Sequence, residues 1–383
     1  MRYLFLTALL TLSGCVAQVD YEYDPSEEQT YLERTLGLPP ADTTDILGLT
    51  PDMVALLDER INPNWSGRQK LKALRELFFN ENELNIRYDA TNTLTAAETF
   101  AKGRGNCLSL TTLTVAAARH IGLKAYYQTV EVKPTWDHEG ETMIRYEHIV
   151  ATGQMVGGGI WVIDFLPDFV IGDSRNDVIS DREALALYYN NRGAEELVSG
   201  DHDRAIGYLQ HALHIDADLS DAWNNMGAAM RRSGQYDLAE FSYKRAIQED
   251  GTNLSALSNL SRFYSGQGRR AESEQFQQMV DRYRRKNPYF HYFLAQLFFD
   301  EGDYLQAQEF LKRSIKLKRD EPDFYVAMAK THHELGNSNE SKEMLSLADK
   351  YRTGLLRAPT RSNNHRFWNM TIEVNPRLMD HEN

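Results

Sequence analysis

A spacing of 34 residues does most to limit what this chain can fold into. Gly200, Gly234, Gly268, Gly302 and Gly336 lie 34 residues apart. The same register aligns Gly193, Gly227, Ser261, Ala295 and Ala329, and also Ala205, Ala239, Ser273, Ala307 and Ser341. A column of large residues runs through Tyr189, Trp223, Leu257, His291 and Tyr325, with only His291 off type, and Pro288 and Pro322 share one phase. In a stack of helical hairpins each column has a purpose. Small residues recur where paired helices approach closely, and large ones fill the space between hairpins. Glycine ends the first helix in a left-handed cap, and proline opens a helix where its missing N–H costs nothing. The spacing predicts about five helix pairs over residues 186–355.

These columns resemble the tetratricopeptide repeat, and Asn191, Asn225 and Asn259 add an asparagine common on the first helix of that family. The third unit matches least, with Gln277 where the others carry Leu209, Tyr243, Leu311 and Leu345. The resemblance implies an all-α solenoid that holds a peptide or partner protein and has no chemistry of its own. His211/His214 and His332/His333 read as polar residues on solvated helix faces, so no metal is expected there. Acidic residues outnumber basic ones 55 to 42 in the 383-residue chain. A nucleic-acid partner is therefore not expected, since such binding needs a basic surface.

At the N-terminus a single charge, Arg2, precedes an apolar run from Tyr3 to Leu12, then Ser13, Gly14 and Cys15. This reads as a secretory signal. Leu12-Ser13-Gly14-Cys15 resembles the lipobox of bacterial lipoproteins, which implies cleavage after residue 14, acylation of Cys15 and a chain anchored to a membrane without spanning it. No later stretch reaches the roughly 18 consecutive apolar residues of a spanning helix. Val16 after the cysteine favours the outer membrane, facing the periplasm, under the sorting rule of the lipoproteins it resembles. Asp20, Glu22, Asp24, Glu27 and Glu28 make residues 15–39 an acidic, solvated tether, and residues 356–383 a C-terminal tail.

With Cys15 acylated, Cys107 has no intramolecular disulfide partner, because the chain has two cysteines. It lies in a segment of different texture, residues 40–185. Gly103, Gly105 and Asn106 break the chain just before it, and Leu108 to Ile121 reads as a buried helix ending at Gly122. A thiol at a helix N-terminus is chemically useful, because the free N–H groups and partial positive charge there favour thiolate and can stabilise an oxyanion. Downstream, Tyr146–Ala151 and Ile160–Phe165 read as two strands joined through Gly153–Gly159. A hairpin symmetric about residue 156 would oppose His148 directly to Asp164, close enough for the carboxylate to hold an imidazole tautomer.

The order of Gly105-Asn106-Cys107, then His148, then Asp164 after Trp161 resembles the transglutaminase-like superfamily with its papain-like core, over about residues 70–170. The resemblance implies an α+β domain with a Cys107–His148–Asp164 triad and no cofactor. Asn106 and Leu108 stand where animal transglutaminases have Gln and Trp. Ile149 and Phe165 depart from the residues usual after the histidine and aspartate, and no calcium-site cluster is seen. These departures weaken the case for cross-linking more than that for thiol chemistry. Gln128 and Trp136 are candidates for the second oxyanion donor. His120, at the far end of the Cys107 helix, and His138, in the polar stretch Asp137–Glu141, are poorer bases by position. The expected protein is thus a membrane-anchored lipoprotein with a thiol hydrolase or acyltransferase domain, a cysteine peptidase first, targeted by its repeats. The alternative is a catalytically degenerate scaffold that assembles an envelope complex. A chain lacking residues 186–355 is expected to keep a folded thiol domain.

Overall fold

The computed structural model describes residues 25–38, 44–131, 135–136, 143–144, 147–155, 158–165 and 177–357. The N-terminal half runs α1 (Pro25–Leu36), α2 (Pro51–Arg60), α3 (Gly67–Phe79), β1 (Arg87–Tyr88), α4 (Ala96–Lys102), β2 (Arg104–Gly105), α5 (Cys107–His120), β3 (Tyr126–Glu131), β4 (Thr135–Trp136), β5 (Met143–Ile144), β6 (Glu147–Gln154), β7 (Ile160–Ile163) and β8 (Val178–Ile179). Strands β7, β6, β3 and β8 form an antiparallel sheet in that order. Helix α5 packs on this sheet and is buried from Leu108 to Ala118. Thr112 and Thr114 survive there because their hydroxyls donate to the carbonyls of Leu108 and Leu110 at 2.7 and 2.8 Å.

Five helix pairs follow: α6 (Asp181–Ser199) with α7 (His202–Ile215), α8 (Ser220–Arg232) with α9 (Tyr236–Glu249), α10 (Leu254–Gly266) with α11 (Arg270–Lys286), α12 (Pro288–Asp300) with α13 (Tyr304–Leu317), and α14 (Pro322–Glu334) with α15 (Ser338–Arg357). Gly200, Gly234, Gly268, Gly302 and Gly336 end the first helix of each pair at φ between +75° and +90°, a region open to glycine and strained for other residues. Gly193 and Gly227 serve close approach: a Cβ would stand 2.6 Å from Leu209 Cγ and from Tyr243 Cδ1 respectively. Adjacent first helices are tied by asparagines, with Asn225 Nδ2 donating to Asn190 Oδ1 at 3.0 Å and Asn259 Nδ2 to Asn224 Oδ1 at 2.9 Å. In the third unit Gln277 is exposed, and Phe276 and Val280 fill the interior of α11 in its place.

Two expectations about domain limits change. The boundary expected at 185/186 falls inside α6, and one continuous core runs from Ile46 to Val280. Tyr189 on α6 accepts a hydrogen bond from Thr44 N–H at 2.7 Å, and Asp181 pairs with Arg119 of α5 at 2.6 Å. A chain cut at residue 185 would lose the helix that completes its own core. Within the segment expected as a solvated tether, residues 25–36 instead form α1, which lies across α7 and α9. Tyr31 stacks on Phe241 with ring centroids 5.3 Å apart, Arg34 pairs with Asp237 at 2.7 Å and Glu28 with Arg245 at 3.0 Å. Gln210 and His214 hold the last carbonyls of α1, those of Thr35 and Leu36. The acidic residues of the segment concealed an apolar stripe with a place to dock.

Replacing Gly227 by Val puts a branched side chain where Tyr243 lies 2.6 Å away. The expected loss is about 1–3 kcal/mol, seen as a melting temperature several degrees lower. An unchanged transition would show that the two helices have room to separate.

Candidate functional site

Local geometry places Cys107 before any chemistry is considered. Gly103 closes α4 at φ +63°, and Gly105 has no room for a side chain, since a Cβ would meet Ser109 Cβ at 2.5 Å. Asn106 then caps α5, its Oδ1 accepting the Ser109 N–H at 3.0 Å. Cys107 is the first residue of the helix and is half-buried. Its N–H and that of Leu108 precede the first intrahelical acceptor, the carbonyl of Asn106 that Leu110 uses, so both can serve an anion.

His148 and Asp164 come together, but in a different register from the one expected. The ladder pairs Ala151 with Ile163 and Gln154 with Ile160, which centres the hairpin on residue 157 rather than 156. Gly153 is the reason. It is a strand residue, not a turn residue: a Cβ there would strike the carbonyl of Lys124 and the Trp161 ring, at 1.9 and 2.5 Å. The turn is closed instead by Gly158 and Gly159 at positive φ. Continued in this register, Asp164 falls opposite Val150. The slip of two residues keeps both side chains on one face, and Asp164 reaches His148 along the diagonal. Its Oδ1 lies 2.5 Å from Nε2, and both side chains are almost wholly buried.

A carboxylate can only accept, so Nε2 carries a proton and Nδ1 is the basic nitrogen. The Cys107 side chain is the other group that acts on the ring. Burial alone would lower the imidazole pKa. The hydrogen bond to Asp164, and the negative charge that Asp164 and Cys107 can each carry, outweigh burial and raise it to about 9. One turn along α5 from the thiol, Thr111 Oγ1 donates to the carbonyl of Ile149 at 3.1 Å, tying the helix of Cys107 to the strand of His148. Sequence reading passed over this residue, and its only signal was its position four residues after the cysteine on a buried helix face. Asn106, expected as a break before Cys107 and as a departure from a family pattern, is the cap of α5, and Asn before a helix with Ser at its third residue is a capping signal.

The other candidates are placed as follows. Gln128 sits on the same sheet face as His148, one pleat along, opposite Val150. Trp136 lies on β4, with its side chain outside the described residues, as are Cys15 and His138. His120 pairs with Asp58 at 2.8 Å, remote from Cys107 at the other end of α5. His211 is not on a solvated face: it packs against the Tyr189 ring at 4.6 Å, and its neighbour His214 binds the end of α1. Among the described residues no three His, Cys, Asp or Glu side chains converge to hold a metal, and no helix is long and apolar enough to cross a membrane.

Residues 230–297 and 288–321 match family models of the tetratricopeptide repeat. The second half of the chain carries tetratricopeptide repeats. The photosystem I assembly protein Ycf3 of Prochlorococcus marinus strain MIT 9313 is 28% identical over 107 residues, 27% of this chain and 62% of the relative. The small glutamine-rich tetratricopeptide repeat-containing protein 2 of Mycosarcoma maydis is 33% identical over 67 residues, 18% of this chain and 19% of the relative. The chain thus spans about three fifths of the length of the Ycf3 protein it matches. Among solved structures, pilF of Pseudomonas aeruginosa aligns at 22% identity over 45% of this chain and 78% of its own, with a TM-score of 0.27. YrrB, described as a repeat protein with an unusual peptide-binding site, aligns at 15% identity over 45% of this chain and 88% of its own, with a TM-score of 0.25.

The raised imidazole pKa makes stability depend on pH. The folded value, about 9, lies above the ordinary 6.5. The stabilisation is therefore complete below about pH 6.5 and is lost as pH rises through 9, by up to about 3 kcal/mol. Urea unfolding at pH 6.5 and 9.5 should show this loss in the wild type and not in His148→Gln. Parallel losses in both would mean that the ring has an ordinary pKa.

Proposed function

We propose that the chain is a repeat scaffold that holds a protein or peptide partner and carries, in its N-terminal half, a thiol site of the transglutaminase-like kind. The observation that carries the thiol part is the 2.5 Å contact between His148 and Asp164 beside a cysteine at a helix N-terminus. In this reading His148 already holds the thiol proton, and Cys107 attacks an amide carbon as thiolate. The C–N bond then breaks as His148 returns that proton to the leaving nitrogen, which leaves a thioester. Water, or an amine, adds to the thioester carbon and expels the sulfur, with His148 moving the proton again. The N–H groups of Cys107 and Leu108 face the charge that develops on the carbonyl oxygen. The route uses no cofactor, and peptide hydrolysis is the first choice of reaction. Acylation of Cys15 would anchor the chain at the cell envelope, on the outer membrane facing the periplasm, where its substrates would be envelope or secreted proteins.

A scaffold without turnover is the second reading. The repeats and the relatives favour it, since one relative is named as an assembly protein and another as a repeat-containing protein. Comparing the envelope proteomes of cells carrying Cys107→Ala and wild type separates the two. The enzyme reading expects substrates that persist uncleaved or unmodified in the variant, and identical proteomes would leave the scaffold alone. For the anchor, Cys15→Ser should abolish incorporation of labelled palmitate and release the chain from the membrane fraction. Continued labelling and retention would overturn the lipoprotein reading.

A further inference from the structure

A chain of hydrogen bonds leads from the first repeat to the residue that caps the thiol helix. Glu195, on α6, accepts the main-chain N–H of Thr93 at 2.6 Å. Thr93 Oγ1 in turn accepts from Asn106 Nδ2 at 2.7 Å. Asn106 Oδ1 then accepts from the Ser109 N–H at 3.0 Å and from its hydroxyl at 2.9 Å. Thr93 and Ser109 are fully buried. The direction of these bonds follows from the Ser109 N–H. A main-chain N–H can only donate, so Asn106 Oδ1 must face Ser109, and its NH2 group donates to Thr93 Oγ1. The amide therefore turns its NH2 group outward and its oxygen toward the start of α5. With the amide reversed, NH2 would face the free N–H groups beside Cys107, and the cap would be lost. Arg192, one turn before Glu195, braces the same loop by donating to the Thr93 carbonyl at 3.5 Å and pairing with Glu195 at 3.5 Å.

We propose that Glu195, acting through Thr93, is a positioning residue for Cys107, so that the first helix of the repeat array is a working part of the thiol site. Glu195 touches no reacting atom, and its effect is to hold Thr93 where its hydroxyl meets the amide of Asn106. This rests on the reading of Cys107 as a nucleophile activated by His148. It also means that the array does more than recruit, because a partner that shifted α6 would change the reactivity of the thiol.

The test is the rate of Cys107 alkylation by iodoacetamide in the full chain, followed by mass spectrometry of the Cys107 peptide at pH 7 and at pH 10. Glu195→Ala and Thr93→Val should each slow the reaction several-fold at pH 7 and leave it unchanged at pH 10, well above the ordinary thiol value of about 8.5. Thr93→Ser, which keeps the hydroxyl, should react like the wild type, and the double variant should be no slower than either single one. If Glu195→Ala does not fold, Thr93→Val set against Thr93→Ser decides the matter alone. Equal rates in Thr93→Val and wild type at pH 7 would overturn the proposal, as would failure of Thr93→Ser to rescue. His148→Ala serves as the reference. If it too reacts like the wild type, the nucleophile reading has failed; if it is slow while Thr93→Val is not, only the relay has.

Discussion

Helix α5 is buried from Leu108 to Ala118 while its first residue is a half-exposed cysteine, and the rest of the structure is arranged around that contrast. A helix buried on every side holds its ends at fixed points, because close-packed neighbours leave it no freedom to slide or turn. The sheet packs on it through Tyr127, Ile149 and Ile163, and Thr111 bonds the strand that bears His148. At the N-terminus, Gly105 lets the chain pass against Ser109, and Asn106 satisfies the helix without covering the sulfur. The thiol and the imidazole are thus brought together by two rigid elements rather than by a loop, the arrangement that best preserves the geometry of a reactive pair.

The array and the thiol unit share more than a chain. Helix α6 packs on its repeat partner α7 and also completes the core of the N-terminal half, through Tyr189, Asp181 and Glu195. Helix α1 crosses the first two repeats from the other side, with Tyr31 on Phe241. The early repeats are therefore held at both faces by segments that precede them in sequence. Those segments form contacts far apart along the chain, of the kind that slows folding.

The solenoid was the most legible part of the molecule because its demands are local. A left-handed cap needs glycine at each turn, and a close helix pair needs a small residue at each crossing, so the period is printed in the residues themselves. The third unit shows the limit: Gln277 breaks its column because α11 buries Phe276 and Val280 instead, a rotation that only the neighbouring helices decide. Pairing of His148 with Asp164 was legible as a shared face but not as a register. Gly153 resembles a turn residue in sequence, and only the Trp161 ring lying over it shows why it is glycine. The docking of α1 was hidden for a related reason. Its charges suggested solvation, yet Glu28 and Arg34 meet Arg245 and Asp237, partners about 200 residues away. The link from Glu195 to Asn106 crosses 89 residues of sequence and leaves no pattern in it.

A double-mutant cycle on thiol reactivity decides whether Cys107, His148 and Asp164 act as one unit. Iodoacetamide alkylation of Cys107 at pH 7 would be measured in the wild type, His148→Ala, Asp164→Ala and the double variant, each shown to be folded. Side chains that act as a unit are not additive. If the three do act as one unit, either single change slows the reaction markedly and the double variant is no slower than His148→Ala. Rates that match the wild type in His148→Ala, or losses that simply multiply in the double variant, would contradict it.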